Sequence, residues 1–217
     1  MNIFEENNVL EIYNLIANKF DNTRQYHWKC VKEYINSINS FSLDNTIDFI
    51  DIGCGNGKYF SLCNNFRNVY AVDNSIELLS IVKHRYPNVK TLEADATDIP
   101  VDDKTFDYAI SIAVIHHLST EERRINLIDE IYRILKPNGT CMVTAWASTI
   151  NKSKFEKLDN HNDYLIPWDH KYMRFYHLFD ENEFDILISK SKYSQNIEII
   201  KKIFECDNWA IIIKKLK

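Results

Sequence analysis

Phe49-Ile50-Asp51-Ile52-Gly53-Cys54-Gly55-Asn56-Gly57-Lys58 holds three of the four glycines in this 217-residue chain. Glycine lets a backbone turn tightly and approach a ligand closely, because it carries no Cβ. The run follows an apolar, β-rich segment, Ile47 to Ile52, and precedes a helix-compatible stretch over 57–64. A glycine-rich turn between a strand and a helix is a cofactor-binding device. The spacing is GxGxG with a lysine next, which matches neither the P-loop nor the dinucleotide fingerprint. Asp51 points the same way. A carboxylate at the strand's C-terminal end repels a pyrophosphate and suits a ligand carrying an ammonium or sulfonium group.

Two more acidic residues extend the pattern. Asp73 closes the apolar run Val69-Tyr70-Ala71-Val72, 22 residues after Asp51, and Asp95 follows 22 residues later in Leu92-Glu93-Ala94-Asp95-Ala96. A carboxylate about 20 residues past the loop, at the tip of the next strand, accepts hydrogen bonds from ribose hydroxyls. One aspartate after a strand is usually a turn residue. Three at this cadence, each closing an apolar run, point to a nucleoside site.

Elsewhere, strands are expected at 47–52, 69–73, 89–93, 106–112, 140–146, 197–204 and 209–215. Helices are expected at 57–64, 75–85, 119–135 and about 180–191, the third opened by Ser119/Thr120 and Glu121/Glu122 and closed by the turn Lys136-Pro137-Asn138-Gly139. Alternating β and α elements give an α/β fold with a seven-stranded, mostly parallel sheet and helices on both faces. The last two strands, joined by Glu205-Cys206-Asp207-Asn208, form an antiparallel pair. Val9, Ile12, Tyr13, Ile16 and Phe20 mark one helix face near the N-terminus, Asp21-Asn22-Thr23 interrupts it, and a second helix is expected over 25–38. The chain is expected to be a single domain, 1–217, with an N-terminal helical extension over 1–45 on a core of 46–217.

A net charge of −5 argues against indiscriminate polyanion binding but leaves room for a local basic patch. Lysines cluster at 152–157, 201–202 and 214–217. The five cysteines show no metal-ligand spacing, so no metal is expected, and their scatter suits a reducing compartment. No signal-peptide pattern opens the sequence, and the longest uncharged apolar run, Tyr108 to Ile115, is too short to span a bilayer. A cytoplasmic protein is expected, with the nucleus also open.

Asp51-x-Gly53-x-Gly55-x-Gly57 resembles motif I of the class I S-adenosylmethionine-dependent methyltransferases, a Rossmann-like fold. That resemblance implies S-adenosylmethionine as cofactor. It implies a binding set of Asp51, Gly53, Gly55, Asn56, Gly57, Asp73 and Asn74, with Asp95 and Ala96 at the adenine edge and Ser111 on the fourth strand. Beyond that strand comes Ser111-Ile112-Ala113-Val114-Ile115-His116-His117-Leu118-Ser119-Thr120-Glu121-Glu122-Arg123-Arg124. Ligands of open α/β sheets sit outside the strands' carboxyl ends, so His116 and His117 are placed to face a reactive methyl.

This stretch closely resembles the eukaryotic wobble-uridine tRNA carboxymethyl methyltransferases, including the methyltransferase domain of the animal AlkB-homologue enzyme. Ile12 to Ala17, Phe20 to Arg24 and Trp28 follow the family's order near the N-terminus. Pro167-Trp168, Arg174 to Phe179 and Asp207-Asn208-Trp209 do so near the C-terminus. Asn138, where many relatives have glycine, and a short, divergent 150–166 depart from the pattern. The resemblance implies esterification of the carboxylate of 5-carboxymethyluridine in tRNA. Arg24 and Arg174 are candidates for gripping substrate carboxylate or phosphate, and His116 for positioning it. His117, Trp168, Tyr176 and His177 are further substrate-side candidates. The resemblance also implies a partner, a small zinc-binding methyltransferase activator protein, placed on the exposed edge strand Val89 to Glu93. Two other readings stay open: a small-molecule O- or N-methyltransferase on the same cofactor fold, and a non-catalytic scaffold.

Overall fold

The computed structural model describes residues 1–24, 26–41 and 46–217, with the backbone alone at Phe41. β1 (Asp48–Ile52) is buried along its whole length because helices cover both faces of the sheet it centres. The order is β3 (Lys90–Glu93), β2 (Asn68–Asp73), β1, β4 (Phe106–Ile112), β5 (Leu135–Trp146), β10 (Asn208–Lys215) and β9 (Ile197–Glu205). Strands β3 to β5 pair in parallel, and β10 runs antiparallel to both β5 and β9. The alternation of elements predicts this parallel sheet with an antiparallel pair at its end, and β3 lies at one edge.

Side chains alternate across each strand, so every buried strand feeds two cores. Ile50, Ile52, Ala109 and Val143 pack against Leu127 and Ile131 of α5 (Glu121–Ile134) and Leu187 of α6 (Glu183–Lys190). Phe49, Ile110 and Met142 pack the other way, against Val31 and Ile35 of α3 (Lys29–Phe41) and Leu79 and Val82 of α4 (Ile76–Arg85). Fully burying each of these side chains larger than alanine contributes roughly 1.5–3 kcal/mol. Local signals agree with the packing. Ser75 caps α4 by accepting from the Leu78 N–H at 3.2 Å, and Thr120 caps α5 by accepting from the Arg123 N–H at 3.2 Å.

Four features differ from expectation. First, the segment after the glycine loop is not a helix over 57–64 but a single 3₁₀ turn, Phe60–Leu62. Gly57 sits at φ +72°, where a Cβ would come within 2.7 Å of the Phe60 ring, and Asn64-Asn65 follow with poor helix propensity. Second, the N-terminal helix runs α1 (Ile3–Glu5), a π-helical turn at Glu6–Leu10 and then α2 (Glu11–Thr23), straight through Asp21-Asn22-Thr23. Asp21 does not compete for local backbone groups there, because its carboxylate accepts from Asn56 Nδ2 at 2.8 Å and Arg85 Nη2 at 2.6 Å. It thereby ties α2 to the glycine loop. Third, Lys136 to Gly139 is not a free turn but an excursion within β5: Leu135 pairs Phe106, Thr140 pairs Tyr108, and Asn138 lies at φ +67°.

The fourth is a second sheet. β6 (Glu156–Lys157), β7 (Asp163–Trp168) and β8 (Tyr172–His177) form an antiparallel meander. The β7–β8 turn places Asp169 at φ +53° and His170 at φ +56°, left-handed positions held without any glycine. Leu178 and Tyr176 pack with Tyr164 and Ile166, joined by Trp146 from the tip of β5. β8 thus lies over the carboxyl ends of β4 and β5.

Candidate active site

A cavity of about 520 Å³ opens at the carboxyl ends of the parallel strands, walled on the far side by α2 and β8. Asp51, at the tip of β1, lines it while only 2% exposed, and its carboxylate accepts no hydrogen bond among the described residues. Burial, then repulsion by Asp73, pushes its pKa up to about 8, with Lys58 pulling the other way. Gly53 lies at φ +71°, and a Cβ there would strike Val114. Gly55 borders open space on the cavity side, its nearest obstacle being Phe20 at 3.5 Å. Asp73 accepts from the N–H of Gly55 at 2.8 Å and of Ser75 at 2.9 Å, which locks the glycine loop to β2. Asp95 accepts from Thr97 and Arg123 and pairs with the Met1 amino group at 2.8 Å. Those bonds outweigh its burial and hold its pKa well below the usual carboxylate range. Asn56, Asn74 and Ala96 complete this end.

The opposite wall is aromatic and cationic. His117 Nδ1 donates to the Phe175 carbonyl at 2.8 Å, so its proton is on that nitrogen. Nε2 therefore accepts from the Tyr13 hydroxyl at 3.0 Å, and the Tyr13 oxygen accepts from Arg174 Nη1 at 2.9 Å. Every step of this relay has one direction. Burial draws the His117 pKa down to about 3. His116 Nδ1 accepts from the Trp146 N–H at 3.1 Å, which leaves the proton on Nε2 with no acceptor among the described residues. Its ring stacks on Tyr176 at 4.7 Å, and burial followed by the neighbouring His117 hold its pKa well below the usual histidine value. Both imidazoles are neutral, and both lone pairs are taken.

Arg174 is 3% exposed, and among the described residues it has no carboxylate partner and its Nε has no acceptor. Its guanidinium stacks on Trp168 at 4.7 Å and on Tyr176 at 5.2 Å. Arg24 lies over the same indole at 5.3 Å and over Phe20 at 5.2 Å, and among the described residues its guanidinium donates only to Thr23. Trp168 is therefore a spacer between two guanidinium groups, packed behind the cavity wall and not part of it.

Three other residues singled out in the sequence also fall outside the cavity. Gly57 shapes the loop from behind, and Ser111 is wholly buried in β4. His177 is on the opposite face of β8 from Arg174 and Tyr176. Its Nδ1 meets Asp163 at 2.5 Å and its Nε2 meets Glu183 at 2.6 Å, so both nitrogens are engaged by carboxylates, beside buried Arg124. These bonds overcome burial and raise its pKa. Among the lysine clusters, Lys215 is buried and donates to the Tyr132 and Leu135 carbonyls, and Lys202 pairs with Asp185.

Residues 50–143 match a family profile described as "Methyltransferase domain". A tRNA (carboxymethyluridine(34)-5-O)-methyltransferase of Schizosaccharomyces pombe is 30% identical over 239 residues, covering 98% of each chain. The chain belongs to the tRNA (carboxymethyluridine(34)-5-O)-methyltransferase family. The Saccharomyces cerevisiae member is 34% identical over 76% of this chain, which spans 57% of that protein, and the Arabidopsis thaliana member is 40% identical over 66% of this chain and 34% of its own length. Among solved structures, a Pyrococcus horikoshii protein superposes with a TM-score of 0.72 at 18% identity over 94% of this chain and 98% of its own. An S-adenosylmethionine-bound amino pentose methyltransferase from Micromonospora echinaspora gives 0.68 at 13% identity over 92% and 96%. At these identities the two structures speak for the fold alone.

The site also contains groups that motif spacing does not single out. Tyr13 reads as one more apolar residue on an amphipathic face, yet it orders His117 and Arg174 together. Lys58 and Trp28 line the mouth, with the ammonium 5.1 Å from the Trp28 ring. Glu5, 2% exposed, accepts from the N–H and hydroxyl of Ser119 and from Arg123 Nε, pinning the first helical turn across the site. Among the described residues no group of His, Cys, Asp and Glu side chains is arranged to hold a metal ion, and no helix is long and apolar enough to cross a membrane.

Proposed function

We propose that this chain transfers a methyl group from S-adenosylmethionine to the carboxylate of 5-carboxymethyluridine at the wobble position of tRNA. The observation that carries it is Arg174, a buried guanidinium that has no acid partner among the described residues and faces the same cavity as Asp51. An unpaired buried charge is costly, and an anionic substrate removes the cost. Its planar fork matches a carboxylate.

The cofactor fits the residues at the other end. Asp51 is a buried carboxylate without a hydrogen-bond donor among the described residues, which suits an ammonium; the open side of Gly55 admits close backbone approach, and Asp73 keeps acceptor capacity for ribose hydroxyls. Asp95, Ala96 and Asn74 border the space for a purine. Bound there, S-adenosylmethionine supplies an electrophilic methyl on its sulfonium. The protein's own task is positioning. A substrate carboxylate with a pKa of roughly 4 is already ionised at neutral pH, so no base is needed. Neither histidine could serve as one, since Trp146 N–H and the Tyr13 hydroxyl occupy their lone pairs. An ammonium or hydroxyl nucleophile needs such a base, which disfavours a small-molecule amine or alcohol as the methyl acceptor. His116 Nε2–H is left as a donor to a substrate oxygen. Replacing His116 with Ala is expected to slow turnover roughly tenfold to a hundredfold. With S-adenosylmethionine saturating at every pH, the rate should stay flat across pH 6.5–8 in both proteins; a His116-dependent rise with pH would show proton abstraction instead.

The activator belongs on β3, whose outer edge has no partner strand among the described residues. The test is to incubate the protein, alone and with the activator, with S-adenosylmethionine and tRNA carrying carboxymethyluridine, then digest the tRNA and analyse nucleosides by mass spectrometry. Conversion to the methyl ester, with higher soluble yield and rate when the two proteins are co-expressed, is expected. Unchanged tRNA with methylated small molecules would refute the tRNA reading. A monodisperse, fully active lone chain would refute the activator.

A further inference from the structure

Lys58 closes the glycine-loop decapeptide with a cationic side chain. Its ammonium lies 5.1 Å from the Trp28 ring centroid and 4.8 Å from that of Tyr59. Lys58 lines the same cavity as Asp51, and its ammonium makes no hydrogen bond or ion pair among the described residues. The side chain is half-buried, and burial followed by repulsion from Arg24 draws its pKa down to about 8, with Asp51 acting in the opposite sense. The two cations line one cavity and are close enough to repel each other, and neither forms an ion pair among the described residues. Such an arrangement is complete only when an anion enters.

Two anions are candidates: the substrate carboxylate and the α-carboxylate of the cofactor's amino-acid tail. Arg174 and Arg24, bracketing Trp168 near His116 and Tyr176, form the substrate end. Lys58 is on the loop itself, within the field of Asp51. A zwitterionic amino acid whose ammonium meets Asp51 carries its carboxylate on the adjoining carbon, in a region Asp51 and Asp73 make hostile to negative charge. A helix N-terminus after the loop could compensate, but here the loop leads only into the 3₁₀ turn Phe60–Leu62. A positive side chain at that spot has to do so.

We propose that Lys58 holds the α-carboxylate of the cofactor, so that Asp51 and Lys58 together read the zwitterion at the end of its amino-acid tail. This rests on the cavity being the S-adenosylmethionine site. The flanking Trp28 and Tyr59 rings keep the ammonium aimed and partly dehydrated, which strengthens its attraction for an anion.

Calorimetry tests it with two ligands that differ only in that carboxylate: S-adenosylhomocysteine and 5′-(3-aminopropyl)thioadenosine. The wild-type protein should prefer S-adenosylhomocysteine about tenfold or more. Lys58→Gln should lose about tenfold for S-adenosylhomocysteine and less than about twofold for the aminopropyl compound, erasing the preference, and Lys58→Arg should restore it. Equal losses for both ligands, or a wild-type protein without preference, would overturn the assignment. So would unchanged S-adenosylhomocysteine affinity with a raised KM for tRNA, which would put Lys58 on an RNA phosphate. Should the wild-type protein bind neither ligand, the cofactor reading itself fails, a result distinct from any of these.

Discussion

Arg174→Met should lower kcat/KM for ester formation about a thousandfold, equivalent to roughly 4 kcal/mol of transition-state stabilisation, while changing S-adenosylhomocysteine affinity less than about twofold. The size follows from burial. A guanidinium that is 3% exposed and lacks an acid partner among the described residues offers a carboxylate two parallel, charge-assisted bonds in a place from which water is excluded. Methionine fills much of the same volume between Trp168 and Tyr176 but offers no donor. It also releases Tyr13, whose oxygen accepts from Arg174 Nη1, so His117 loses part of its alignment. Arg174→Lys keeps the charge without the fork and should recover only part of the rate.

Stability should move the other way. In the free protein the charge is buried without a counterion among the described residues, and replacing such a charge by an apolar side chain of similar volume is neutral or stabilising. The melting temperature of Arg174→Met should therefore match or exceed that of the wild type. A structural arginine predicts the reverse: a lower melting temperature and losses in cofactor binding and turnover alike. Steady-state kinetics on tRNA, calorimetry and thermal unfolding of one variant separate the two.

How much of this is legible in the sequence depends on whether a residue's role is set locally. Asp51, Asp73 and Asp95 lie at or just past the carboxyl ends of β1, β2 and β3, and parallel topology brings all such strand ends to one edge; their convergence follows from the pattern itself. The parallel sheet follows from the alternation of elements, whereas β3 at the edge follows only from the strand order that the family resemblance implies. Tyr13 is not legible because its place at helical spacing with Ile12 and Ile16 is what a core residue shows. Its hydroxyl matters only through His117 and Arg174, which lie more than 100 residues away in the chain. Lys58 is opaque for a related reason: its environment is made by Trp28, from a segment that sequence spacing cannot juxtapose. The second sheet is hidden because its turn uses Asp169 and His170 at positive φ where glycine or asparagine usually gives the signal. That concealment explains His177. Strand alternation over 172–177 puts Arg174 and Tyr176 on one face and His177 on the other, where Asp163 and Glu183 take both of its nitrogens.

Asp51→Asn should abolish cofactor binding, with at least roughly a hundredfold loss of S-adenosylhomocysteine affinity, and should stabilise the free protein. Both effects come from one cause. Burial and the nearby Asp73 raise the Asp51 pKa to about 8, so below that pH the free protein holds the carboxyl largely protonated. An ammonium ligand prefers the ionised form. Binding must then release a proton, and wild-type affinity should climb by as much as about tenfold per pH unit between about 6.5 and 8 before levelling off. The asparagine variant, with nothing to ionise, should show weak binding and no such slope. For folding, the sign is opposite. A carboxyl whose folded pKa is above its unfolded value of about 4 contributes stability that is fully present below the unfolded pKa and is lost as pH rises through about 8. The Asp51→Asn protein escapes that loss and sacrifices no hydrogen bond, because the wild-type carboxylate accepts none among the described residues. The variant should thus melt close to the wild type at about pH 5 and roughly 5 °C or more above it at about pH 8.5. Calorimetric titrations across pH in two buffers of different ionisation enthalpy count the released proton directly. Binding that is indifferent to pH, or an Asp51→Asn protein that melts below the wild type at the alkaline end, would mean that Asp51 is held by a donor and that the ammonium end of the cofactor lies elsewhere.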